Sequence, residues 1–175
     1  MSRFEEYDFE RSWLWMACDH VGQVATMHSL GDGAVLPGLS RSKKDAEWLR
    51  DWILDELIPE KNGSSDSDLC LENLHRISAI SPGKSPEEGI AAYRRSIIEE
   101  SSCGVFVYEA SLGTTFPVGY HLLGTPGKPL LVSDLPEKPA DIVSRCCFGT
   151  LSFGEASQIH LSNFGIQSDG RGYPE

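Results

Sequence analysis

Apolar residues change period twice along this chain, and that order limits the folds it can adopt. Residues 12–18 are apolar and aromatic, and residues 23–30 alternate, with Val24, Thr26 and His28 on one side and Ala25 and Met27 on the other. Asp19-His20-Val21-Gly22 separates the two runs with turn-forming residues, so the segment reads as a β-hairpin with a short loop. From Ser42 the period becomes helical: Trp48, Leu49, Trp52, Ile53 and Leu57 recur at spacings of three and four. Ser42 with Asp45 resembles a weak capping box, and Pro59 and Gly63 close the helix. A second helix opens at Ser85-Pro86-Glu87-Glu88, with Ser as N-cap, Pro at the first helical position and Glu at the third. Ile90, Tyr93 and Ile97 form its apolar seam, and Gly104 ends it.

The period then returns to two. Val105–Tyr108 and Val118–Leu123 read as strands joined by a turn at Gly113–Pro117, and Leu130-Leu131-Val132 as a short third. Ile142–Leu151 and Gln158–Phe164 are further strand candidates. Leu71, Leu74 and Ile77 suggest a short helix. Residues 30–37, 60–68 and 81–84 and the stretch from Leu135 to Pro139 read as loops. Strands and helices are segregated, so the fold class is α+β: an N-terminal hairpin, two to three helices, then a mainly antiparallel sheet. At 175 residues, with no repeat and no second boundary, one domain is expected over 1–166, with a polar tail over 167–175.

Composition narrows the function classes. The net charge is −11, which disfavours nucleic acid and anionic membranes as partners, since both need a basic surface. No apolar run approaches the ~20 residues that cross a bilayer, and the N-terminal MSRFEEYDFERS lacks the apolar region of a secretory signal. A cytoplasmic protein is expected. Cys18, Cys70, Cys103, Cys146 and Cys147 are odd in number and lack C-x-x-C spacing, so reduced, mostly buried thiols are expected. The adjacent Cys146 and Cys147 would point to opposite faces of a strand.

The enzyme motifs are missing. Gly124-Thr125-Pro126-Gly127-Lys128-Pro129 lacks phosphate-loop spacing, and a proline stands where a helix must begin. Gly31-Asp32-Gly33 is not followed by a helix, and no G-x-S-x-G is present. His20, His28, His75, His121 and His160 show no zinc-ligand spacing. A pairing of Cys103 with His121 or His160 is possible in principle, but the histidines read as strand-surface or core residues, and Asp19-His20 reads as turn chemistry rather than a catalytic fragment. Neither cofactor, metal nor catalytic residue is expected.

Charge is concentrated. Between 45 and 72 lie Asp45, Glu47, Asp51, Asp55, Glu56, Glu60, Asp66, Asp68 and Glu72, against Arg50 and Lys61. Glu99-Glu100 falls at a helix C-terminus, where acid opposes the macrodipole at about 0.3–1 kcal/mol per charge. The functional reading of this acid is a face kept for a cationic partner.

A tryptophan-rich strand (Trp13, Trp15), Asp19, Gly22, Val24-Ala25, Gly31, Gly33 and Pro37 resembles the N-terminal pattern of immunity proteins from bacterial polymorphic-toxin and contact-dependent competition systems. Residues 104–108, Tyr120 to Pro126, Pro129-Leu130 and Asp134-Leu135-Pro136 are similar to that group as well. The resemblance covers about 12–37 and 104–136. It implies stoichiometric inhibition of a cognate toxin in the cytosol, with the acidic face against a basic, for instance nuclease, toxin domain, and Asp51, Asp55, Glu56, Asp66, Asp68, Glu99 and Glu100 as the candidate contacts. The rivals are a small enzyme with an unrecognised site and an acidic interaction adaptor. Core packing is expected for Trp48 and Trp52.

Overall fold

The computed structural model describes residues 14–29, 43–58, 67–73, 86–110, 119–160 and 163. Trp13, Gly31, Gly33, Pro37, Asp66, Ser85, the loops at 30–37, 60–66 and 81–85, the turn at 113–117 and the 167–175 tail lie outside those residues.

The fold is α+β. Strands β1 (Leu14–Asp19) and β2 (Val24–His28) form the expected hairpin, with Leu14 opposite His28 and Cys18 opposite Val24. Helix α1 (Lys43–Trp52) runs into a π-helical turn at Ile53–Leu57, closed by Ile58 N–H donating to the Ile53 carbonyl. The short β3 (Asp68–Leu69) precedes α2 (Pro86–Ser101), β4 (Phe106–Ala110) and β5 (Gly119–Thr125). Helix α3 (Glu137–Ser144), β6 (Cys147–Phe148) and β7 (Gln158–His160) complete the described elements.

These strands make one mixed sheet in the order β3-β5-β4-β2-β1-β6, with β7 also on β5. Most pairings are antiparallel, but β2–β4 and β1–β6 are parallel. The β2–β4 pairing joins the N-terminal hairpin to the later strands, setting Ala25 opposite Phe106 and His28 opposite Glu109.

Alternation on the hairpin does not translate into one wet face. Trp15, Met16, Ala17, Val24, Ala25, Thr26 and Met27 are all fully buried, because both faces of the central strands are covered. One face carries Met16, Cys18, Thr26 and Val107. Over it lie α2, tied by Glu100 to Thr26, and α3, whose Val143 carbonyl accepts from Cys18 Sγ at 3.7 Å. Leu49 and Ile53 of the first helical stripe are buried, as is Ala46 of the same helix, while Trp48 and Trp52 are half-buried against the core and stack at 6.5 Å. The Lys138 ammonium sits 3.6 Å above the Trp48 ring.

The opposite face carries Trp15, Phe106, Tyr108 and Tyr120. Trp15 meets Tyr120 edge-on at 6.2 Å. The segment after β6 packs on this face: Phe153 is fully buried and lies within 6.0 Å of Phe106, Tyr108 and Phe148. The Tyr108 hydroxyl donates to the Ala156 carbonyl at 2.6 Å, fastening that segment down.

Two expected strands differ. Ile142–Ser144 is the end of α3, not part of a strand. Pro136 is its N-cap residue and Pro139 falls in its first turn, where a missing N–H costs nothing. Pro139, Ile142 and Val143 then form a buried helical stripe. Leu130–Val132 contributes only a single bridge, Leu131 to Gln23, before a 3-10 turn at Val132–Asp134. Gly104 ends α2 as expected, at φ +91°, where a side chain would crowd the Lys128 carbonyl and Leu130.

Candidate functional site

The Asp19 turn is architectural. Asp19 is 1% exposed, and its carboxylate accepts three backbone N–H groups. Oδ1 takes Val21 at 3.1 Å and Gln23 at 2.8 Å, and Oδ2 takes Phe153 at 2.9 Å. Gly22 supplies φ +84° for the reversal. His20 is exposed, and its Nδ1 lies 2.7 Å from the Leu151 carbonyl. The Asp-His pair therefore locks the hairpin to the segment that covers the sheet.

None of the five cysteines is in a disulfide. Cys18, Cys103 and Cys146 are buried and Cys147 is exposed, so the adjacent pair does point opposite ways. Burial pushes the Cys18 thiol up to about 12, helped by its hydrogen bond to Cys147, and burial does the same for Cys146. Such thiols are inert as nucleophiles at neutral pH. Cys103 directs its thiol to the Leu57 and Glu99 carbonyls, both at 3.3 Å. No group of acidic, His and Cys side chains among the described residues could hold a metal ion.

The acidic residues divide into three kinds. Some are offset by cations: Asp51 pairs with Arg50 at 2.6 Å, and Arg145 bridges Asp45, at 2.8 Å, and Asp141. Asp55, Glu56, Asp68 and Glu99 are exposed and form no ion pair among the described residues. Glu100 is the third kind. It is 3% exposed and faces inward, so it is not part of the acidic surface. Asp66 lies outside the described residues.

The fold brings the exposed acids of separate segments together. Cys103 bonds to the end of the π-helical turn and to the last turn of α2 at once, which ties the turn that carries Asp55 and Glu56 to the turn that carries Glu99. Strand β3 pairs with Gly124 and Thr125 and touches α2, so Asp68 flanks the same half of that helix. Three large apolar side chains are exposed on these elements or just after them: Leu54 at 49%, Ile98 at 40% and Leu71, two residues past β3, at 47%. Apolar contacts ringed by charge are the anatomy of a protein-binding surface.

Under α2 lies a polar centre that sequence reasoning missed. Thr26 Oγ1 donates to Glu100 Oε2 at 2.8 Å, and His28 Nε2 lies 2.9 Å from the same oxygen. Ser96 Oγ reaches Glu100 Oε1 at 3.4 Å. Glu109, 2% exposed, is the register partner of His28 on one side and of His121 on the other. Burial alone would lower the His28 pKa. The Glu100 charge and hydrogen bond, with a smaller contribution from Glu109, outweigh it and raise the imidazole above its ordinary value. The one sequence signal was Glu100 itself, an acid where the helix dipole disfavours one.

No family model, curated protein or solved structure matches the chain.

Proposed function

We propose that this protein is a stoichiometric inhibitor of a toxin domain, acting as an immunity protein in bacterial competition. Its docking surface is the acidic corner formed by Asp55, Glu56, Asp68 and Glu99 with Leu54, Leu71 and Ile98. The partner is a basic protein domain. The observation that carries this reading is the concentration of exposed carboxylates without a cationic partner among the described residues, interleaved with exposed leucine and isoleucine. A lone surface charge has little energetic meaning. A cluster left unneutralised beside apolar anchors accelerates association with a cation-rich surface and gives it something to bury. The resemblance of residues 12–37 and 104–136 to immunity proteins points the same way. Asp51 contributes less, because Arg50 offsets it.

The test is co-expression with the polypeptide encoded immediately upstream, scoring growth and co-purification. Toxicity relieved by a one-to-one complex supports the inhibitor. Relief without a complex makes the protein an antidote that reverses the toxin's product. Absence of toxicity, relief and complex removes the reading.

A further inference from the structure

We propose that His28 and Glu100 form a proton-operated latch that seats the C-terminal half of α2 on the sheet. Three geometric facts meet here. Glu100 is 3% exposed, so its carboxylate cannot satisfy itself with bulk water. Both donors on its Oε2, Thr26 and His28, come from β2, so this one carboxylate ties the helix to the central strand. Beside it Gly124 lies under Ile97, where even a methyl group would sit 2.5 Å from Ile97 Cγ2, so the helix approaches the sheet closely.

The groups facing His28 fix the sign. From α2 come Glu100 and, hydrogen-bonded to it, Ser96. Across β4 stands Glu109, with His121 next to it on β5. The β1 partner, Leu14, is apolar. Two carboxylates and no fixed cation flank the imidazole among these groups, so its proton is held. While His28 is charged, the buried Glu100 has a counter-charge. Once His28 is neutral, its Nε2–H still donates in that tautomer, but Glu100 has lost its counter-charge, and a buried, uncompensated charge favours release of the helix. The folded pKa is raised, so the stabilisation is fully present below the unfolded imidazole value of about 6.5. It is lost as pH rises through the folded value. Ile98, Glu99 and Cys103 ride on the same turns as Glu100. The latch therefore also governs the geometry of the acidic corner, a consequence that rests on the proposed docking role, whereas the latch itself does not.

The experiment uses the isolated full-length protein and needs no partner. The His28 imidazole is titrated by NMR in wild type and in Glu100→Gln, and amide exchange over residues 97–104 is followed from pH 6 to 9 in wild type and His28→Asn. The wild-type midpoint should lie above that of free histidine and fall in Glu100→Gln. Protection of residues 97–104, corrected for intrinsic exchange, should drop about tenfold across that midpoint in wild type and stay level in His28→Asn. A wild-type midpoint at or below that of free histidine, or protection indifferent to pH, overturns the latch; should Glu100→Gln fail to fold, the wild-type measurements decide alone. Because no ligand is involved, a failed latch and a failed inhibitor assignment are read separately.

Discussion

Glu99 and Glu100 are neighbours in sequence, yet one belongs to the exposed corner of the molecule and the other to the polar centre beneath α2. Glu100 is 3% exposed and holds Thr26 and His28 within 2.9 Å, whereas Glu99 is exposed and forms no ion pair among the described residues. Asp19 behaves as Glu100 does, and Asp55, Glu56 and Asp68 behave as Glu99 does. The buried carboxylates of Asp19 and Glu100 are each tied by several donors and join elements distant in sequence. The exposed group adds nothing to the fold that the structure displays. An acidic composition thus has two separate physical origins here, and only the second bears on a partner.

The division breaks if the buried acids prove dispensable. Asp19→Ala should have the largest effect, about 3–5 kcal/mol by urea unfolding, because it strands three backbone donors and frees the Phe153 segment from the hairpin. Glu100→Ala should cost about 3 kcal/mol, since it removes a buried pairing and leaves Thr26 only the long 3.5 Å contact to the Phe106 carbonyl. Gly124→Ala sharpens the comparison by lifting α2 sterically with every charge intact. Its expected cost is about 1–3 kcal/mol, from overpacking against Ile97. A smaller effect is the pH dependence: wild-type stability should decline as pH rises from about 6.5 through the raised His28 value, and His28→Asn should flatten that decline. Smallest of all, replacing Asp55, Glu56, Asp68 and Glu99 with their amides should change stability by no more than about 0.5 kcal/mol.

What was legible in the sequence was local. The Asp19–Gly22 turn, the Leu49 and Ile53 positions of the first helical stripe and the stop at Gly104 depend on residues within a few positions of one another. The parallel β2–β4 pairing was not legible, because no short-range pattern marks a strand's partner some eighty residues away in sequence. Helix α3 was obscured by Pro136 and Pro139, read as breakers although both occupy positions where a helix accepts proline. For the site, charge density indicated the acidic corner but not which acids face outward. Glu100 was assigned to the surface, and its actual partners, Thr26 and His28, lie on a strand that only the folded chain brings near. Leu54, Leu71 and Ile98 carried no signal of exposure, because each falls within or beside an apolar pattern that reads equally well as core.

The most direct test of the account is the affinity of the protein for the upstream-encoded polypeptide at low and high salt. Wild type, the Asp55→Asn/Glu56→Gln/Asp68→Asn/Glu99→Gln variant and Glu47→Gln, a control outside the corner, would be compared. The account predicts that the fourfold variant binds at least about tenfold more weakly, with a flatter salt dependence, while the control matches wild type. Equal affinity and equal salt dependence in all three would contradict it, and the acidic corner would be only a solvated surface.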